Sequence, residues 1–451
     1  MGDTSNFDIA QTAFLFSWVS NAAAFSKDTK ENQAMHIYNT GFDPDNGTSL
    51  FSKYGNDLKG GDWELVWGPG VFLTPNTTNF DPSPEQYADN SAFVVKSATQ
   101  KMYFVGVAGT NPKSSFDWTM EDLSIAQYVD FKTFDPTLAT PPSPTSIDTS
   151  IDPNDLTSLV DGAKIKAHSA VSSYITHASA IGVWALVSQL KDNTTGKTLG
   201  QFLKSLVPLN DYRVLFTGHS LGGALSPTLA NWFRKANKLA DGQVLAMPVA
   251  GPSVGSVAYQ RGVIDGWDKH FPSTSIEGTN ENNQVKAWNH NIVCQLDVVP
   301  HAWNRLYDVL GNADDYFFGN AGNDACPTCQ STTGDNGAKF QNLKSKMGTI
   351  CQCTPLFKGI VGAAALGLVA YSQTTHVFSY DDDGFSPFKG LKKSTDGIEV
   401  FDGQGPLSSD VCTMNDFAAY ASAIGNVHVW SYGQVAFGID ISVFQDLGIA
   451  L

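Results

Sequence analysis

The sequence predicts an α/β architecture, a mostly parallel central sheet flanked by helices, and three observations carry that expectation. Short apolar runs bounded by turn residues alternate with longer stretches of helical period through the middle of the chain. The run Arg213-Val214-Leu215-Phe216-Thr217 passes through a glycine-rich turn, Gly218–Gly223, into a helical pattern from Ala224 to Asn237. Two further runs, Val244–Val249 and one around Asn291–Cys294, each end in a turn or loop signal of their own. Strands that alternate with helices pair in parallel through right-handed crossovers.

The elements before this central part follow in order. Asp8 to Phe25 has a broad apolar face (Ala13, Phe14, Phe16, Val19) and reads as a helix. The runs Ala92–Ser97 and Met102–Ala108, separated by a polar stretch with Thr99-Gln100-Lys101, read as a hairpin whose second strand ends at Gly109-Thr110. Leu138–Asn154, with Pro141-Pro142-Ser143-Pro144, is a loop by composition. It reads as a surface excursion, because the pieces of one site lie on both sides of it. Ala163–Lys191 has helical period. There is no internal repeat, and residues 1–451 read as a single domain.

Hydrophobic residues make up 42% of the 451 and charged residues only 16%, which supports a large core and excludes a disordered chain. The net charge of −16 repels phosphate, so nucleic acid and strongly anionic membranes are excluded as partners. No apolar run reaches the length of a spanning helix. Met1-Gly2-Asp3 lacks the basic and apolar regions of a leader, and Asn6 breaks the myristoylation pattern after Gly2. Three glycosylation sequons begin at Asn46, Asn76 and Asn193, and the six cysteines are an even number. The expectation is a secreted, glycosylated and disulfide-bonded protein without its signal peptide. The alternative is a cytosolic chain with chance sequons.

Gly218-His219-Ser220-Leu221-Gly222 fits G-x-S-x-G between a strand and a helix. A serine at such a turn projects its hydroxyl above the sheet, the glycines avoid clashes across the turn, and the helix N-terminus faces developing negative charge. The pattern alone is weak, since Gly251-Pro252-Ser253-Val254-Gly255 matches it too. Pro252 fixes φ just before the second serine and Pro248 interrupts the run leading to it. Ser220 is therefore the expected nucleophile. A nucleophilic serine needs a base and an acid to orient that base. Five histidines follow it: His270, His290, His301, His376 and His428. The adjacent His219 is expected to point away.

Four segments in order resemble the class 3 (fungal-type) lipases. They are Gly218-His219-Ser220-Leu221-Gly222-Gly223, Gly251-Pro252-Ser253-Val254-Gly255, Asp297-Val298-Val299-Pro300-His301 and His428-Val429-Trp430-Ser431-Tyr432-Gly433. The resemblance covers about Met102–Gly311 and the last 25 or so residues, and it implies an α/β-hydrolase fold. It makes Gly251–Gly255 a structural loop and carries over Asp297 as the acid and His428 as the base. Against these stand a mere helix or turn cap for Asp297, and His376, whose segment His376-Val377-Phe378-Ser379-Tyr380 nearly duplicates that of His428. His301 reads as a packing or hydrogen-bonding residue. One oxyanion donor is expected from the backbone of Leu221, after the nucleophile. The resemblance supplies Thr110 as the other, against an ordinary strand-ending turn.

The resemblance also places a lid at residues 111–123, where Asp122 resembles a family aspartate; a loop and short helix packed on the core is the plainer reading. The catalytic domain is expected to carry an N-terminal extension, and a long insertion, residues 311–375, precedes the histidine and departs from the compact family pattern. Its apolar stretch Gly359–Tyr371 is too short to span a bilayer and reads as a buried helix, or as a cap over the acyl pocket. Cys326-Pro327-Thr328-Cys329 and Cys351-Gln352-Cys353 fit disulfides better than a zinc site; a Cys294–Cys412 pair is then one option, and spacing alone leaves the pairing open.

Together these features imply a secreted serine carboxylic ester hydrolase, a lipase acting on acylglycerols or other lipophilic esters through an acyl-enzyme. Its partner is an ester at an oil–water interface or in solution, and neither metal nor organic cofactor is expected. The alternatives are a feruloyl-type or other bulky-ester esterase, or a non-catalytic lipid-binding protein.

Overall fold

The computed structural model describes residues 6–24, 26–74, 86–109, 127–146, 171–240, 242–260, 291–294, 299–300, 375–378, 428–429 and 432–449. Among the described residues the largest sheet contains seven strands: β1 (Glu64–Phe72), β2 (Asn90–Ser97), β3 (Met102–Val107), β4 (Arg213–His219), β5 (Val244–Val249), β6 (Asn291–Cys294) and β7 (Thr375–Phe378). Their order across the sheet is β7-β6-β5-β4-β3-β2-β1. From β7 to β3 all neighbours are parallel, and β2 and β1 add on antiparallel. The expected hairpin is the β2–β3 pair, in register from Ala92↔Val107 to Ser97↔Met102. This is the α/β-hydrolase fold the sequence implied, and β7 begins at Thr375, the last residue of the expected insertion.

The central strands are buried on both faces, which is why they read as continuous apolar runs rather than alternating ones. One face carries α1 (Ile9–Val19) and α2 (Lys30–Gly41), with Phe16, Phe93 and Phe104 packed beneath. The other face carries α3 (His177–Trp184) and α4 (Leu221–Ala236), over Val105, Val214, Phe216 and Ala246. The segment ending in α5 (Ile441–Asp446) joins the first face.

The N-terminal segment is therefore part of the core rather than an appendage. A capping box between Asp8 and Gln11 starts α1, and Phe14, Leu15, Phe16 and Trp18 are fully buried. The Gln11 amide donates to the Phe437 carbonyl at 2.7 Å, tying the two ends of the chain together.

The helical reading of Ala163–Lys191 requires correction over its described part. Tyr174–Thr176 is a strand paired with Gln127–Asp130. The helix begins only at His177, after Thr176 accepts the Ser179 N–H as its cap, and a π-helical turn covers Ala185–Gln189. Aromatic and β-branched residues favour a strand here, and a Thr cap starts a helix where tertiary pairing stops. The expected lid (111–123) lies outside the described residues. So do residues 311–374 of the insertion and every cysteine except Cys294.

Candidate active site

Ser220 occupies the single position between β4 and α4, with φ 59° and ψ −127°. A non-glycine residue at positive φ costs roughly 1–3 kcal/mol and persists only where its surroundings hold it. Here the Ser220 N–H donates to the Val249 carbonyl at 3.0 Å, and its own carbonyl accepts from Gly223 N–H at 2.8 Å. The turn is so tight that a Cβ on Gly218 would lie 2.3 Å from the Gly222 oxygen. One on Gly222 would lie 2.5 Å from the Val107 oxygen. α4 begins at Leu221 itself, earlier than its apolar pattern suggested, so the first N–H groups of a 16-residue helix converge beside the serine. Ser220 remains partly accessible.

The second G-x-S-x-G match has a different environment. Ser253 is 1% exposed. Gly251 lies against the start of α4, where a Cβ on it would meet the Gly223 carbonyl carbon at 2.3 Å. Asn291 at the start of β6 clamps the same loop: its Oδ1 accepts Gly251 N–H at 3.0 Å and its Nδ2 donates to Gly251 O at 2.5 Å. The loop's glycine serves close packing against the helix that carries the Ser220 turn. Close by, burial pushes the Tyr259 phenol up to about 12, so it is a neutral packing group at physiological pH.

His428 comes to the same end of the sheet although it lies 209 positions beyond His219 in sequence. Its ring centroid is 4.6 Å from that of His219, and its backbone carbonyl accepts from His219 Nε2 at 2.6 Å. Tyr432, fully buried, sets its ring edge-on to His219 at 5.7 Å. The segment is seated by aromatic packing, with Phe14 stacked on Phe437 at 4.4 Å and Trp18 against Phe444 at 4.9 Å. His376, the rival base, sits inside the four-residue β7, in register with Ile292, two strands beyond β5. His428 shares packing with the Ser220 turn; His376 belongs to a strand next to β6.

Asp297 and Thr110 lie outside the described residues, as do His270, His290 and His301. The residues that lead to the first two are placed. β6 runs parallel to β5 and ends at Cys294, so its C-terminal end faces the same way as that of β4. Two residues beyond β3 lies Gly109, where a Cβ would lie 2.6 Å from the His219 oxygen and 3.1 Å from Ser220 Cβ. The Gly109 N–H donates to the Asn21 side-chain oxygen at 2.7 Å. Asn21, Asn291 and His219 carry no signal in the sequence that marks them as supporting residues. Their partners lie 88, 40 and 209 positions away, beyond the reach of a local pattern.

Among the described residues no cluster of three His, Cys, Asp or Glu side chains could hold a metal ion. No described helix is long and apolar enough to cross a membrane.

Comparison with known proteins adds a family. Residues 147–306 match the family described as lipase (class 3). The M37 lipase structure aligns with 93% of this chain and 99% of its own, at 19% identity and a TM-score of 0.48. The lipase of Rhizopus microsporus var. chinensis aligns over 66% and 70%, at 18% identity and TM-score 0.34. The Lip2 lipase of Yarrowia lipolytica aligns over 66% and 78%, at 16% identity and TM-score 0.35. No curated protein matches the sequence.

Proposed function

We propose that this chain, whose residues 147–306 match the class 3 lipase family, is a carboxylic ester hydrolase whose Ser220–His428–Asp297 triad acts on lipophilic esters, acylglycerols above all. The observation that carries this reading is the Ser220 turn: a partly accessible serine at positive φ between a buried strand and a helix N-terminus, with the His428 segment packed on its neighbour His219.

In this reading Ser220 Oγ attacks the ester carbonyl while His428 takes its proton and Asp297 orients the imidazole. The tetrahedral oxyanion accepts hydrogen bonds from the Leu221 N–H and from Thr110, the residue after Gly109. Collapse expels the alcohol, which receives the proton from His428. Water, deprotonated by the same base, then attacks the acyl-enzyme, releasing the acid and restoring Ser220. The alkyl parts of the substrate require an apolar approach, since a net charge of −16 offers no attraction to an anionic surface.

Secretion belongs to the same proposal. Asn193 is exposed in a turn and suits glycan attachment. Asn46 already donates its amide to the Asn39 carbonyl at 2.7 Å, which disfavours attachment there.

The test is hydrolysis of p-nitrophenyl esters of short, medium and long chains by wild type, Ser220→Ala and Ser253→Ala. Loss of turnover in Ser220→Ala alone, with a preference for long chains, is the expected result. Preference for short or aromatic acids would replace the lipase reading with an esterase. Inactivity of the wild type on every ester, with fatty acid still bound, would favour a binding protein.

A further inference from the structure

We infer that His219 is a positioning residue for the reaction: its imidazole holds the His428 segment in register with the nucleophile turn. The inference rests on the proposed role of His428 as base.

The geometry is specific. His219 is the last residue of β4 and immediately precedes Ser220, so any displacement of one is transmitted to the other. His219 is 3% exposed, its ring next to those of Trp18, Tyr432 and His428, with the Trp18 and Tyr432 rings edge-on at 6.1 and 5.7 Å. A backbone carbonyl can only accept, so the 2.6 Å contact between His219 Nε2 and the His428 oxygen requires the hydrogen on Nε2. That bond ties the backbone of the base to the residue next to the nucleophile, across 209 positions of sequence. It constrains the His428 backbone directly, and a half-buried side chain on a fixed backbone has fewer ways to reorient.

A histidine that only filled space would be replaceable by any apolar side chain of similar size. A positioning histidine needs its donor. Misplacing a catalytic group by about 1 Å can cost roughly a hundredfold in rate, so the two roles separate kinetically. His219→Leu keeps the volume and removes the donor. His219→Gln places an amide N–H near the position of Nε2.

The experiment measures kcat and KM on a long-chain p-nitrophenyl ester for wild type, His219→Leu, His219→Gln and His428→Ala, with thermal melting of each. We expect His219→Leu to lose about ten- to a hundredfold in kcat with KM little changed. We expect His219→Gln to recover most of that loss, although both variants melt at similar temperatures. Equal kcat in His219→Leu and wild type would overturn the inference while leaving His428 as base. Full activity in His428→Ala would overturn the base assignment itself. A readout on the wild type does not depend on whether the variants fold: nitrogen NMR of the histidine rings should show His219 carrying a solvent-protected proton on Nε2. A proton on Nδ1 alone would contradict the bond.

Discussion

Asn21, just beyond α1, accepts the backbone N–H of Gly109 at 2.7 Å, joining the N-terminal helix to the strand end that precedes Thr110. The other half of its amide donates to the Ser17 carbonyl at 2.9 Å, so both polar ends are used and the side chain is fixed. Ser91 on β2 adds a second tie, donating to the Ser20 carbonyl at 2.8 Å. Removing the acceptor strands a buried N–H, a loss of about 1–3 kcal/mol. Asn21→Leu is therefore expected to lower urea-melt stability by that amount and to reduce kcat more than it raises KM. A stability loss with unchanged kcat would confine Asn21 to a structural role.

The glycines of the Ser220 turn should tolerate no Cβ. In Gly222→Ala the new methyl would sit 2.5 Å from the Val107 oxygen and 2.7 Å from that of Ala108, both backbone atoms at the end of β3. Relief requires β3 and the turn to separate, so a loss of about 3 kcal/mol or a failure to fold is expected. Gly47 provides the control, because a Cβ there meets nothing within 4 Å. Gly47→Ala should melt with the wild type and preserve activity.

Phe14 should act as a clasp for the C-terminal segment. It is fully buried, stacks on Phe437 at 4.4 Å and meets Phe444 edge-on at 6.2 Å. Phe14→Ala leaves a cavity costing about 3–5 kcal/mol. Because the Phe14 ring anchors residues just beyond His428, esterase activity in the variant should fall at a lower urea concentration than the far-UV signal of the sheet. Coincident transitions would show that the segment does not loosen separately.

His177 should make stability fall on mild acidification. Burial lowers its pKa below the ordinary 6.5, and its Nε2 lies 3.1 Å from the Pro142 carbonyl, whose hydrogen bond acts in the opposite direction. Its place as the first residue of α3 also disfavours a positive charge. Since the folded state binds the proton more weakly than the unfolded one, its contribution is fully present above about pH 6.5. It is lost as pH falls through the depressed folded value. His177→Gln should flatten the melting temperature between about pH 7 and 5 relative to wild type. Parallel curves would remove His177 as the cause.

Much of the fold was legible because the relevant patterns are local. β4, the glycine turn and the following helix occupy consecutive residues, and their conformations follow from chain stiffness and the space a Cβ needs. The β2–β3 hairpin was readable for the same reason. Preference for Ser220 over Ser253 also came from sequence, through Pro252 and Pro248. In the structure Gly251 packs on Gly223, and Ser253 is buried. Reading Tyr174–Thr176 as helix failed because its strand partner, Gln127–Asp130, lies far away in the chain.

The α/β order of elements, the strained turn at Ser220 and the resemblance that pointed to Asp297, His428, Leu221 and Thr110 were all written in consecutive residues. Folding added that α1 is part of the core, that Asn291 clamps the Gly251 loop, and that Asn21 and His219 reach Gly109 and His428. Those last three ties are hydrogen bonds between segments 40 to 209 positions apart. A hydrogen bond of that kind leaves no periodicity in the chain. It exists only once burial of the flanking aromatic residues has brought donor and acceptor within about 3 Å in a place that water does not reach.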